Sequence, residues 1–293
     1  MFNKILVPLD GSRLAELALP HAEVLAGAFN SEVNLLEVCE QKGCPHHHMH
    51  QLYTEKLAEL VKNHIKKAGP VVTVKPLVLE GKAATEIIGY AEQNDISLII
   101  MATHGRFGIM SWAMGSIADK VLQRVSTPIL LIRARAPALK EGKSEMFSKI
   151  LVPLDGSKTG EAVLPYVSEL TKKLKSEVIL LQVIASGQHV HTIGGLDYVR
   201  FAEQQVESMK ASAQQYLKGV SRRFADTRAT VRSEVKFGDS ATGIIKLADE
   251  TDTSLVAMST HGHTGIERWT FGSVTHKVLH GSNTHLLLVR APG

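Results

Sequence analysis

The sequence has only two cysteines, Cys39 and Cys44, which excludes a fold stapled by a network of disulfides. It has no apolar run approaching the eighteen or so residues of a membrane span, so no membrane partner is expected. Its start lacks the shape of a secretory leader and enters at once into a strand pattern, which points to a cytoplasmic protein. Lysine and arginine are scattered, so the formal charge of +4 suits an anionic ligand but gives no nucleic-acid surface. Two common phosphate-binding signatures are also missing. No G-x-x-x-x-G-K-[ST] occurs, which excludes a P-loop NTPase, and no G-x-G-x-x-G follows the first strand, which weakens a dinucleotide reading.

What is present is a repetition. The string KILVPLDGS begins at Lys4 and again at Lys149, and a second string, THG-x9-GS, spans Thr103–Ser116 and Thr260–Ser273. Two distant strings duplicated in the same order mean that a whole domain is duplicated. A chain of 293 residues, 44% hydrophobic, can supply two such domains with a core each. The expected division is 1–134, a linker at 135–147 with little apolar content, and 148–293. The first strings are 145 residues apart and the second 157, which places twelve inserted residues between Ser186 and Val235.

In the first copy, KILVPL reads as a strand ending in the turn and capping residues Asp10-Gly11-Ser12. Leu14, Leu17, Ala18, His21, Ala22, Leu25 and Ala28 follow at helical spacing, with Pro20 inside the pattern and Pro165 at the same place in the second copy. A proline there predicts a kinked helix in both. Further strands are expected at 32–39, 71–79, 97–101 and 128–133, with a helix carrying Leu52, Leu57, Leu60, Val61, His64 and Ile65 and others near 83–93 and near 116–125. The second copy repeats the order, with strands near 149, 176, 229, 254 and 285. Strand–helix alternation implies parallel strands joined by right-handed crossovers, and the runs SLIIM and SLVAM are apolar enough to be covered on both faces. Each half is predicted to be a doubly wound α/β domain with a five-stranded parallel sheet.

In such sheets ligands bind beyond the carboxyl ends of the strands, where strand order reverses. Asp10 and Asp155 end the first strand of each copy, and the THG strings follow the fourth. Gly105, Gly108, Gly115 and Ser116 then lead into a helix, as do Gly262, Gly265, Gly272 and Ser273. Glycines allow close approach of a phosphate, the helix N-terminus offers N–H groups, and the serine can cap the helix or donate its hydroxyl. Neither loop holds a lysine, so Arg106 and Arg268 are its fixed cations and binding would rest mainly on the backbone. His104 and His261, without a nearby nucleophile or carboxylate in sequence, read as residues that fix the loop.

The pair KILVPLDGS and (A/S)THG-x9-GS, in this order and over essentially the whole chain, resembles the universal stress protein family as a tandem two-domain member. Nucleotide-binding members carry G-x2-G-x9-G-[ST]; here the first glycine is Ala102 in one half and Ser259 in the other. The resemblance implies Rossmann-like domains of the adenine nucleotide alpha hydrolase type. It implies that Pro8 and Asp10 lie beside a nucleoside, Val38 and Met101 along the adenine, and Gly105, Gly115 and Ser116 at the phosphates. Pro153, Asp155, Val183, Met258, Gly262, Gly272 and Ser273 take those places in the second half. The implied ligand is ATP or a related adenine nucleotide with Mg²⁺, and the implied role is regulation with little or no turnover. A slow ATPase or phosphotransferase and a nucleotide-free chaperone-like scaffold are the alternatives. Pairing through the last strands, near Pro128–Arg133 and His285–Arg290, would make an internal pseudo-dimer, and two chains could associate further. Glu267 beside Arg268 would repel phosphate, so the first site is expected to bind more tightly.

One cluster is not duplicated. Cys39, Cys44, His46, His47, His48 and His50 carry thiolate and imidazole, ligands suited to zinc, but their spacing matches no standard zinc module. A metal-binding loop and a solvated polar loop are both open readings.

Overall fold

The computed structural model describes residues 1–67, 69–103, 114–134, 145–192, 195–200, 202–261 and 271–291. The chain divides into two compact units, one built on Met1–Met146 with Asn283–Arg290 added, the other on Phe147–Ile266 and Gly272–Ser282.

Unit 1 runs β1 (Lys4–Leu9), α1 (Arg13–Glu16), α2 (Leu19–Phe29), β2 (Glu32–Cys39), α3 (His47–Lys67), β3 (Val74–Glu80), α4 (Ala83–Gln93), β4 (Leu98–Ala102), α5 (Ser116–Arg124) and β5 (Ile129–Ile132). Its five strands are parallel in the order β3-β2-β1-β4-β5. The chain therefore builds outward from β1 on one side and from β4 on the other, and order reverses between them. Every residue of β4 is buried, as a strand covered on both faces must be. Each buried Ile or Leu there contributes about 1.5–3 kcal/mol of transfer free energy.

Unit 2 repeats the plan. Its elements are β6 (Lys149–Pro153), a short 3₁₀ turn at Gly160–Val163, α6 (Leu164–Leu174), β7 (Glu177–Ile184), β8 (Gly187–Thr192), β9 (Gly195–Arg200), α7 (Glu203–Ser221), β10 (Val231–Phe237), α8 (Ser240–Glu250), β11 (Leu255–Ser259) and α9 (Ser273–Gly281). Strands β10, β7, β6 and β11 are parallel neighbours in that order. The inserted residues form the antiparallel hairpin β8–β9. The last strand, β12 (His285–Val289), falls within unit 1, where Leu286, Leu287 and Leu288 pair antiparallel with Leu131, Leu130 and Ile129.

Two expectations are corrected. The first helix of each copy is not kinked but divided: Pro20 lies in the first turn of α2 and Pro165 in the first turn of α6. First-turn N–H groups have no partner inside a helix, so proline starts a helix there at no cost. The histidine cluster is not a loop throughout, because α3 begins at His47.

Candidate functional site

In unit 2 the carboxyl ends of β6, β7 and β11 and the start of α9 enclose a cavity of about 260 Å³. Seven of the residues expected at a nucleotide line it. Pro153 ends β6 and Asp155 follows it, Val183 is the penultimate residue of β7, and Met258 and Ser259 end β11. Gly272 and Ser273 open α9 on its far side.

The start of α9 fixes where the backbone N–H groups of its first turn go. Gly272 is the N-cap, and its own N–H donates to Thr260 O at 3.0 Å, closing the glycine loop back onto the strand end. Gly115 does the same in unit 1, donating to Thr103 O at 2.8 Å. The N–H groups of these two glycines are thus engaged within the protein, and the N-cap position is held by Gly115 and Gly272 rather than by Ser116 and Ser273. The serines are the first helical residues, both exposed. The N–H groups of Ser273, Val274 and Thr275 lack an intrahelical acceptor and border the cavity.

Asp155 is held by its own turn. Its Oδ1 accepts from Ser157 N at 3.0 Å and Ser157 Oγ at 2.6 Å, and Ser157 Oγ accepts in turn from Gly160 N at 2.9 Å. Gly160 also lines the cavity, and a Cβ there would stand 2.5 Å from Asp155 Oδ1. In unit 1, Asp10 Oδ1 accepts from Ser12 N at 3.0 Å, and Ser12 caps α1 by accepting from Ala15 N at 3.1 Å.

Among the described residues, two polar atoms at the unit 2 cavity have no hydrogen-bond partner. Ser259 Oγ is buried and unpaired, and so is His261 Nε2, although His261 Nδ1 lies 2.9 Å from Thr260 Oγ1. Both residues line the cavity. Ser259 stands where the family pattern has its first glycine, so that exchange adds a hydroxyl to the cleft. His261, read from sequence as a loop-fixing residue, contacts its neighbour Thr260 through Nδ1 and carries a second nitrogen that is unpaired among the described residues.

In unit 1, Pro8, Met101 and Ala102 are buried, while Asp10, Val38 and Gly115 are partly exposed at the matching strand and helix ends. Gly105, Arg106, Gly108, Gly262, Gly265 and Arg268 lie outside the described residues. Sequence reasoning missed Gly160, Ser240, Ile244 and Thr275 at the unit 2 cavity. Ser240 and Ile244 come from α8, an element the duplicated strings do not reach. Of the cysteine–histidine cluster, Cys39, Cys44 and His50 are brought together, whereas His46, His47 and His48 are exposed and stand outside that group. Among the described residues no helix is long and apolar enough to cross a membrane.

Comparison with known proteins agrees with this architecture. The model of the universal stress protein family matches twice, at residues 1–133 and 146–290. A universal stress protein of Methanocaldococcus jannaschii is 30% identical over 141 residues, covering 45% of this chain and 83% of the relative. The universal stress protein YxiE of Bacillus subtilis is 29% identical over 150 residues, covering 45% of this chain and 100% of the relative. Among solved structures, a universal stress protein from Archaeoglobus fulgidus superposes over 99% of both chains with TM-score 0.68 at 18% identity. A functionally unknown protein from Pseudomonas aeruginosa superposes over 99% of this chain and 93% of its own with TM-score 0.71 at 16% identity. These two likenesses show the fold, two tandem doubly wound α/β domains.

Proposed function

The chain belongs to the universal stress protein family, and from that premise we propose that it binds an adenine nucleotide, ATP or a close relative, and acts as a nucleotide-responsive regulator in the stress response. The observation that carries this reading is the unit 2 cavity, bounded by a helix N-terminus and holding two unpaired polar atoms, Ser259 Oγ and His261 Nε2. An unsatisfied buried polar group costs about 1–3 kcal/mol, which a polar ligand recovers on binding. Leu181, Val183, Ile244 and Met258 give the apolar wall that a flat base requires, and the start of α9 gives the anionic end.

Asp155 is the residue best placed to share Mg²⁺ with a bound triphosphate, because it lines the cavity with its carboxylate oriented by Ser157. Asp10 takes that role in unit 1. The two repeats act together as an intramolecular pair, a role that the two matches of the family model support. With Glu267 in its glycine loop, the second site binds phosphate less tightly than the first.

The test is to denature freshly purified protein, identify released nucleotide by mass spectrometry, and titrate emptied protein with Mg·ATP. One or two nucleotides per chain, with phosphate release near background, is the expected result. Sustained turnover would replace the regulator by a slow ATPase. A protein that is empty and does not bind Mg·ATP would leave a scaffold.

A further inference from the structure

The segment after β2 has no counterpart in the second repeat, and the nucleotide reading makes no use of it. Cys39 ends β2, and Cys44 is turned back beside it by two consecutive residues of positive φ, Gly43 at 72° and Cys44 itself at 36°. Such a φ is unusual for a residue with a side chain, so this turn is built rather than incidental. It is closed by Cys44 N donating to Gln41 O at 3.0 Å and pinned at its tip by Gly43 N donating to Glu80 Oε1 at 2.7 Å. The two cysteines are buried, their Cα atoms are 5.8 Å apart, and they are joined as a disulfide in this structure.

The first turn of α3 then delivers His50. Cys39 Sγ, Cys44 Sγ and a ring nitrogen of His50 all lie within 4.8 Å of one another. His50 Nδ1 is 2.8 Å from Glu37 Oε1, a contact that orients the ring and leaves Nε2 to bind. The Glu37 side chain is only 5% exposed, and its second oxygen, Oε2, is buried without a hydrogen-bond partner. A buried carboxylate with one oxygen unpaired needs compensating positive charge nearby. Two sulfurs and an imidazole backed by a carboxylate form a donor set suited to zinc, with a fourth position left for water.

We propose that Cys39, Cys44 and His50 hold a zinc ion when the cysteines are reduced, and that a peroxide expels it by oxidising them to the disulfide. The step balances. Each zinc-bound thiolate gives up one electron and the S–S bond forms. Hydrogen peroxide takes the two electrons and two protons, its O–O bond breaks to give two waters, and Zn²⁺ leaves. The same two sulfurs cannot serve both states, so metal content reports the redox state of the pair. The site does not depend on nucleotide binding.

The test uses the whole chain. Reduced protein is loaded with zinc, freed of excess by gel filtration and assayed for metal and free thiols, then treated with hydrogen peroxide and assayed again. About one zinc per chain is expected in the reduced state, lost together with both thiols on oxidation and regained after reduction. Cobalt in place of zinc should give a thiolate charge-transfer band that vanishes on oxidation. Glu37→Gln and His50→Ala should weaken binding roughly tenfold to a hundredfold. Replacing His46, His47 and His48 together by alanine should leave it unchanged. Reduced wild-type protein that retains no zinc overturns the proposal, as does oxidised protein that retains as much. So does zinc that follows His46–His48 rather than the cysteines. Because the wild-type comparison needs no substitution, a Cys39→Ser variant that failed to fold would not blunt the test.

Discussion

The hydroxyl of Tyr53, on α3, donates a hydrogen bond of 3.0 Å to Glu16 Oε1 at the end of α1. The second repeat copies it, with Tyr216 donating to Glu161 Oε1 at 2.9 Å. Burial, reinforced by the adjacent carboxylate, raises both phenols well above their ordinary pKa. A raised folded-state pKa gives stability that is complete below the unfolded value near 10 and is lost as pH rises above it. Tyr53→Phe should therefore cost about 1 kcal/mol at pH 7, and its deficit relative to wild type should shrink at alkaline pH. Denaturant melts of both proteins at pH 7 and pH 10.5 measure this, and a deficit that grows with pH would contradict it.

A second pH dependence runs the other way. His21 and His285 stack edge to face with ring centroids 4.6 Å apart, both inside unit 1. Burial lowers His21 to about 4 and His285 to about 3; the neighbouring His21 and Arg133 add to the second shift. His285 Nδ1 accepts from Arg133 N at 3.0 Å, which requires the unprotonated nitrogen. The unfolded chain takes up protons near pH 6.5 while the folded one does not. Stability is therefore complete above that pH and falls progressively as pH drops toward 4 and 3. The loss should be on the order of 2 kcal/mol per ring by pH 5. Thermal melts of wild type between pH 7.5 and 4.5 should show this decline, and His285→Phe should flatten it.

Ser259→Ala separates stability from binding. Removing a buried hydroxyl that has no partner should stabilise the ligand-free protein by about 1 kcal/mol. The same change should weaken nucleotide binding at unit 2 by roughly three- to tenfold, if the hydroxyl meets the ligand. Unchanged affinity with raised stability would place the ligand away from Ser259.

Gly160→Ala tests how Asp155 is seated. The added methyl would meet Asp155 Oδ1 at 2.5 Å and Ser157 Oγ at 3.1 Å, so the carboxylate must move. Affinity for Mg·ATP at unit 2 should fall several-fold while binding at unit 1 is untouched. Isothermal titration of the variant would show this as the weakening of one site only; two equal losses would count against it.

Much of the fold was legible because its signals are local. KILVPL and SLIIM are apolar at successive positions, and they became β1 and β4 on the two sides of the order reversal. The strings at Asp155, Met258, Gly272 and Ser273 found one cavity because strand ends in a parallel sheet share an edge. What escaped depended on atoms meeting across distance. Nothing near Gly272 in sequence says that its N–H is taken by Thr260 O. Nothing near Ser259 says that its hydroxyl is left unpaired. The prolines misled for a related reason: the pattern around Pro20 is helical on both sides, and only backbone geometry shows that one helix ends before it and another starts.

Among the described residues the two repeats differ most in length at the stretch following the second strand. In one copy it is a short turn leading into α3 and carrying Cys39 and Cys44; in the other it is the hairpin β8–β9 leading into α7. Duplication left this corner free to vary because its ends are anchored by a strand and a helix that both copies keep. The corner is therefore transplantable. Grafting residues 40–50 of the first repeat in place of the hairpin, with glutamate at Gln182 and cysteine at Ile184, would carry the chemistry of that corner into the second.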